Sequence, residues 1–181
     1  MIRETAIDRD LVSEPSVRKL RIFAFDPGVS GTFDQADVGE VIVEVRWESG
    51  LRRGPIGEYI EVVDVDPASG AYYKPVDLDN ERILAQSGLA PSEGNPQFHR
   101  QMVYAVAMST IDHFEQALGR VALWSSHFEG KQTIDKQRFV RRLRIYPHAF
   151  RGQNAYYSPP KKALQFGYFP VEVAGNGNVP G

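Results

Sequence analysis

The side chains that could do chemistry in this chain are few. It has four histidines, His99, His113, His127 and His148, and no cysteine. A zinc hydrolase needs neutral imidazoles and a carboxylate around an open metal position. None of the four histidines falls in H-E-x-x-H, which sets two imidazoles one helical turn apart with a base between them. His99 and His113 lie on one predicted helix, about four turns or roughly 21 Å apart at 1.5 Å per residue, so they cannot share a metal. Nothing in the sequence requires His113 and His127 to meet. Ser125, Ser126 and His127 are adjacent, but adjacency does not make a triad, and no G-x-S-x-G elbow is present. No residue of this chain is therefore assigned as catalytic or as a metal ligand.

Two charged segments invite functional readings that a plainer one outweighs. Asp64-Val65-Asp66-Pro67-Ala68-Ser69-Gly70 opens like a calcium loop but lacks the later bidentate Glu, so an acidic turn between strands is the better reading. Lys136, Arg138, Arg141, Arg142 and Arg144 form a basic patch. Such a strand face is usually solvated or paired with local acids. Nucleic-acid binding would want more positive charge and stacking aromatics, whereas the net charge is -2. No stretch is long and apolar enough to cross a membrane. Residues 1–19 have no apolar core of a secretory signal, so the expected location is cytoplasmic, or exported without a visible signal peptide. The absence of cysteine excludes a disulfide framework without fixing the compartment.

The elements that would position these groups follow from periodicity. Residues 1–18 read as a lead-in without clear period. Leu20 to Phe25 and Val41 to Trp47 alternate as strands, and Tyr59 to Val65 is a third. Asp66 to Gly70 is a strong turn, with Ala71-Tyr72-Tyr73 as a hairpin return. Residues 74–95 read as loop. Asn95 is a plausible N-cap, Pro96 a first helical residue, and Gln97 to Leu118 a breaker-free helix closed by Gly119. Phe98, Met102, Ala105, Val106, Met108, Ile111, Phe114 and Leu118 cover most of its circumference, which predicts a buried central helix. Residues 125–137 read as loop, and Phe139 to Tyr146 as a strand ended by Pro147. Asn154 to Tyr157 and Ala163 to Phe169 form a hairpin-like pair.

The most informative stretch is Gly152-Gln153-Asn154-Ala155-Tyr156-Tyr157-Ser158, followed by Ala163-Leu164-Gln165-Phe166-Gly167-Tyr168. An asparagine in an extended segment can donate and accept. If that segment is a sheet edge, its backbone can also pair with an extended peptide. The bland alternative is an Asn-stabilised hairpin with aromatic core residues.

Asn154-Ala155-Tyr156-Tyr157, a short turn, and Leu164-Gln165-Phe166-Gly167-Tyr168 resemble the substrate-edge hairpin of thermolysin-like zinc metallopeptidases, the gluzincins. The helix Phe98 to Leu118 resembles the helix that crosses the N-terminal lobe of that family. The similar stretch covers roughly residues 95–172. The resemblance implies an α+β chain, with a β-rich N-terminal region over 1–92 and a gluzincin-like N-lobe over 93–172. In that lobe a long buried helix packs on a mixed or antiparallel sheet, and 173–181 is a flexible Gly-rich tail. It implies that Asn154 and Ala155 bind substrate main chain and that Tyr157 borders the cleft. It implies no cofactor in this chain, with zinc expected only in a full-length enzyme, because zinc ligands and general base belong to a segment these residues lack. The expected function is the N-terminal, substrate-edge portion of a zinc endopeptidase, not catalytic alone. Its partners would be a peptide or protein substrate and the missing C-terminal catalytic lobe, or a second copy by self-association, with no nucleic acid and no membrane. The runner-up is a non-catalytic peptide- or protein-binding module that uses the same edge strand.

Overall fold

The computed structural model describes residues 13–25, 39–124, 126–127 and 138–169. The expected tail over 173–181, most of the lead-in, Ser125 and Lys136 lie outside the described residues, as do the side chains of His127 and Arg138. In chain order the elements are β1 (Val17–Phe23), β2 (Glu40–Arg46), β3 (Ile60–Val62), β4 (Val65–Asp66) and β5 (Ala71–Tyr72). Next come α1 (Glu81–Ala85), α2 (Pro96–Leu118), β6 (Ser126–His127), β7 (Arg138–Phe139), β8 (Leu143–Arg151), β9 (Ala155–Ser158) and β10 (Ala163–Tyr168). One long helix and several strands make the α+β class expected from the sequence.

The sheet that matters most is four-stranded and mixed, in the order β3-β8-β10-β9. β8 runs parallel to both β3 and β10, while β9 returns antiparallel against β10. β1 and β2 form a separate antiparallel pair, and β4 and β5 a small hairpin across the acidic turn. β9 precedes the turn and pairs antiparallel with β10, as the hairpin reading of this segment anticipates, and it is the outer strand.

α2 begins and ends for local reasons. The Asn95 side chain accepts from the Gln97 amide at 3.0 Å, and Pro96 follows at a position whose N–H would be unpaired in any case. Gly119 ends the helix with φ 64°, and its N–H donates to the Glu115 carbonyl at 2.8 Å. Gln101, Tyr104, Ala105, Met108 and Ile111 recur at three- and four-residue spacing and are buried. Tyr104, Ala105, Met108 and Ile111 join Leu20 and Val45 of the β1–β2 pair and Ile60, Val62 and Ile145 of the mixed sheet in one hydrophobic cluster. That cluster draws on both sides of position 92.

The wide apolar circumference of α2 divides into two stripes. The stripe just named packs on the strands. Val106, Phe114 and Leu118 lie outside it and stay exposed. Two further differences concern the loops. Residues 81–85, expected as loop, form a helical turn because the Asn80 side chain caps it, accepting from the Arg82 amide at 3.0 Å. β8, expected to stop at Pro147, runs on to Arg151. Gln165 pairs with Tyr146 and Gly167 with Phe150, so the β8–β10 register is irregular across Pro147. β3 reaches only Ile145. Pro147 sits where neither neighbour calls for its missing N–H.

Arg100 ties the helix to the loops around the sheet. Its guanidinium is buried and donates to the backbone carbonyls of Gly54 at 3.1 Å, Asp64 at 3.3 Å and Tyr73 at 2.5 Å. The Asp64 carboxylate, also buried, stands 3.5 Å from Nε. Nε and Oδ2 are the two atoms of this group left without a hydrogen bond, and they face each other as an ion pair. Replacing Arg100 by Met should strand these carbonyls and the carboxylate. The expected loss is about 3–5 kcal/mol of unfolding free energy in urea titrations. A loss below about 1 kcal/mol would show that the pair does not hold the loops.

Candidate functional site

Two places in this fold can do something beyond packing: the outer strand β9 and an apolar trough beside α2.

The trough has a volume of about 770 Å³. One wall is the exposed stripe of α2, including Met102, Val106 and Phe114. The other wall is the sheet, including Leu143, Ile145 and Phe166. Its α2 wall runs from His99 to Phe114, roughly 22 Å of helix at 1.5 Å per residue. The lining is almost wholly apolar except at the end nearest the start of α2, where His99 and His148 stand.

These histidines meet because of strand pairing. β3 lies parallel to β8 with Val62 opposite Ile145, and the Val63 amide donates to the Ile145 carbonyl at 3.0 Å. Two residues beyond β3, Asp64 therefore comes level with His148. Asp64 Oδ1 lies 2.7 Å from His148 Nδ1. His148 Nε2 in turn lies 3.1 Å from Nδ1 of His99, in the first turns of α2. The result is a chain Asp64–His148–His99, anchored at one end by Arg100. Tyr73 and Tyr168 close on the His148 ring edge-to-face, at centroid distances of 5.4 and 5.5 Å. The Tyr168 hydroxyl donates to Asp66 at 2.6 Å. Hydrogen bonds from the Ser69 and Tyr168 hydroxyls hold the Asp66 carboxyl down at about 2, so the acidic turn is a closed side-chain cap.

The pair that the structure forms, His99 with His148, is neither of the pairs weighed on spacing, His99 with His113 and His113 with His127. His113 is exposed on α2. His148 fell beyond the expected end of its strand, and the only sequence signal was Ile145 continuing the apolar alternation toward it. Of the basic patch, Arg142 donates to the Gly57 carbonyl and Arg144 reaches Glu61 at 3.4 Å, so these two arginines are used locally.

The residues singled out from the sequence lie at the opposite side of the sheet from β3. Asn154 immediately precedes β9; Ala155 and Tyr157 lie on it, all three exposed. The Asn154 carboxamide oxygen accepts from the Ala155 amide at 2.8 Å, and its backbone carbonyl accepts from Gly167 at 2.8 Å. Tyr157 pairs with Leu164, which lines the trough, so both project from the trough side of the sheet. Tyr156 projects from the other side, where its hydroxyl donates to Gln165 at 2.7 Å. A Cβ at Gly167 would run into the Gly152 carbonyl oxygen, so the backbone there comes too close for any larger residue.

The zinc that the resemblance implies has no ligand set here. Among the described residues no group of three or more His, Cys, Asp or Glu could hold a metal. Nor, among them, is any helix long and apolar enough to cross a membrane. Comparison with protein-family models, with curated proteins and with solved structures returned no match.

Burial, and then the charge of His148, push the His99 imidazole below its ordinary 6.5. The unfolded chain takes up that proton near 6.5 and the folded chain resists it. This contribution to stability is complete above 6.5 and is lost as pH falls below it. The urea midpoint should drop between pH 7.5 and 5.5, with a shallower slope in His99→Gln. Equal slopes would mean that His99 is not the group responsible.

Proposed function

We propose that this chain is the substrate-edge portion of a zinc endopeptidase and is not catalytic by itself. The observation that carries the reading is the place of β9. It is the outermost strand of the mixed sheet, beyond β10, and among the described residues its second backbone edge has no strand partner. An extended peptide can add there by main-chain hydrogen bonds, which give affinity regardless of sequence. Four residues of β9 accommodate about four of peptide, some 13 Å at 3.3 Å per residue. Ala155 supplies backbone groups in that edge. Asn154 stands at its start, with a carboxamide N–H to offer. Tyr157 and, beyond it, the apolar trough receive side chains from one face of the peptide.

The trough supports the same reading. Its apolar wall of Val106, Phe114 and Phe166 is the kind of surface that another protein element covers. In a zinc endopeptidase that element would be the catalytic lobe carrying the metal. No step of peptide hydrolysis is derived for the residues of this chain. The second reading, a non-catalytic peptide- or protein-binding module, uses the same edge, and the trough then serves the bound partner.

Three measurements test this. An extended fluorescent peptide should bind, and binding should weaken severalfold in Asn154→Ala and Tyr157→Ala. N-methylation of alternate peptide amides should abolish it. Binding indifferent to N-methylation would refute strand addition. Adding zinc should give no cleavage, and turnover that copurifies with the chain would overturn the non-catalytic assignment. Self-association or binding of a hydrophobic dye favours the lobe that another element covers. A monomer that ignores the dye but takes peptide favours the free-standing module.

A further inference from the structure

The β1–β2 sheet has an open edge along β2, and the ends of its ladder give the phase of that edge. The Ala24 amide donates to the Gly39 carbonyl at 2.9 Å and the Trp47 amide to the Ser16 carbonyl at 3.1 Å, with unbroken antiparallel pairing between them. Hydrogen-bonded pairs alternate along such a ladder. Val41, Val43 and Val45 therefore spend their amides and carbonyls on β1. Glu40, Ile42, Glu44 and Arg46 turn theirs outward, where among the described residues no strand pairs with them. β1 obeys the same phase on its own outer edge, but there the groups are used. The Arg21 amide donates to the Ser87 carbonyl at 2.8 Å, and the Arg21 carbonyl accepts from Gln101 at 2.9 Å.

Proteins commonly blunt such an edge with proline, lysine or a bulge. β2 reads Glu-Val-Ile-Val-Glu-Val-Arg and has none of these. Val41 and Ile42 are 42% and 50% exposed, one on each face of the strand. The charges of β2 fit one occupant, a second copy of itself. Two β2 strands related by a two-fold axis at Val43 run antiparallel and pair over their whole length. Ile42 then stands opposite Glu44 of the partner subunit, and Glu40 opposite Arg46 of the partner subunit. All four are outward residues, so each pair can exchange both backbone hydrogen bonds. Arg46 already reaches Asp112 and Glu115, but both through Nη2, which leaves Nε and Nη1 for Glu40. Sliding one copy by two residues keeps the phase but sets Glu44 against Glu44, or Glu40 against Glu44. Like charges directly opposite destabilise a strand pair. Sliding by one sets outward groups against residues whose own groups face β1.

We propose that β2 is a homodimer interface, joining two copies in this register into one antiparallel sheet of order β1-β2-β2-β1. Such a contact is isologous, with each residue pair made twice about the two-fold axis. Both outer edges of the joined sheet are then β1, already occupied at Arg21, so association stops at two. One strand per subunit is a contact at the small end of specific interfaces, so the dimer forms and dissociates with concentration. The proposal goes beyond the peptide reading and does not rest on it. β2 lies in a different sheet from β9 and contributes no residue to the trough lining.

Sedimentation equilibrium of the full chain should show monomer and dimer exchanging with concentration. Ile42→Pro removes an outward amide that the monomer does not use, and should abolish the dimer. Glu40→Lys, set against Arg46 of the partner subunit, should weaken it severalfold. Phe114→Ser, in the trough wall, should leave it unchanged. Because the chain has no cysteine, a single one reports the register. Val43→Cys puts two thiols in a non-hydrogen-bonded pair with Cα atoms about 4.5 Å apart, within disulfide reach, so oxidation should give a covalent dimer. Ile42→Cys, which stands opposite Glu44 and not its own counterpart, should cross-link far less. If Ile42→Pro fails to fold, the two cysteine variants decide. A chain that stays monomeric at every concentration overturns the proposal, as does cross-linking of Ile42→Cys equal to that of Val43→Cys. A dimer lost in Phe114→Ser and kept in Ile42→Pro also overturns it. That result would assign self-association to the trough and leave the peptide reading standing.

Discussion

The buried pair of Arg100 and Asp64 is the constraint on which the rest of the structure depends. Neither side chain has more than about a hundredth of its surface in water. Charges so buried are expensive unless paired and hydrogen-bonded. The partners come from segments distant in sequence: carbonyls at Gly54, Asp64 and Tyr73 for the guanidinium, and His148 for the carboxylate. Satisfying them sets how α2 lies against the turns flanking β3 and how those turns lie against β8. The carboxylate that completes the core pairing is thus the same one that orients His148 at the end of the trough.

A second consequence is the lopsided cover of the long helix. Strands β1, β2, β3 and β8 contact α2, and Tyr104, Ala105 and Met108 are buried there. Arg46 reinforces that side, reaching Asp112 and, at 2.8 Å, Glu115 on α2. The other side of α2 overhangs the sheet and leaves the trough between them. Sheet pairing carries the trough wall outward, from Ile145 to Leu164 to Tyr157, toward the open edge at β9. Leu164 and Tyr157 thus extend the trough side of the sheet to its outer strand.

Arg18 repeats the logic of Arg100 on a smaller scale. Its guanidinium lies 4.1 Å over the Trp47 ring and donates to the Leu78 carbonyl and to Asp79, each at 2.6 Å. Stacking and bidentate donation suit arginine's planar fork. This contact fastens the β1–β2 pair to the segment that leads into α1. Gln101 does the same from α2, accepting from the Leu89 amide at 2.7 Å and donating to the Arg21 carbonyl at 2.9 Å. Polar side chains, and not only apolar burial, thus set how the β1–β2 pair and the segments after it lie against α2.

What the sequence by itself determined was local. Asn95-Pro96 and Gly119 bounded α2 because caps act within a turn of the residues that carry them. Alternation marked β1 and β2 because a strand's period of two is written along the chain. The acidic turn at Asp66 and the turn between β9 and β10 were legible from their Pro, Gly and Ser residues. Tertiary structure alone decided what depends on pairing between distant segments. It carried β8 through Pro147, because its neighbours make no demand on that N–H. It exposed one apolar stripe of α2 and buried the other, because which stripe the strands cover is settled by packing. It brought Asp64, His99 and His148 together, because a parallel β3–β8 register and a helix between them in sequence set three residues of wide separation at one point, and no spacing along the chain encodes that.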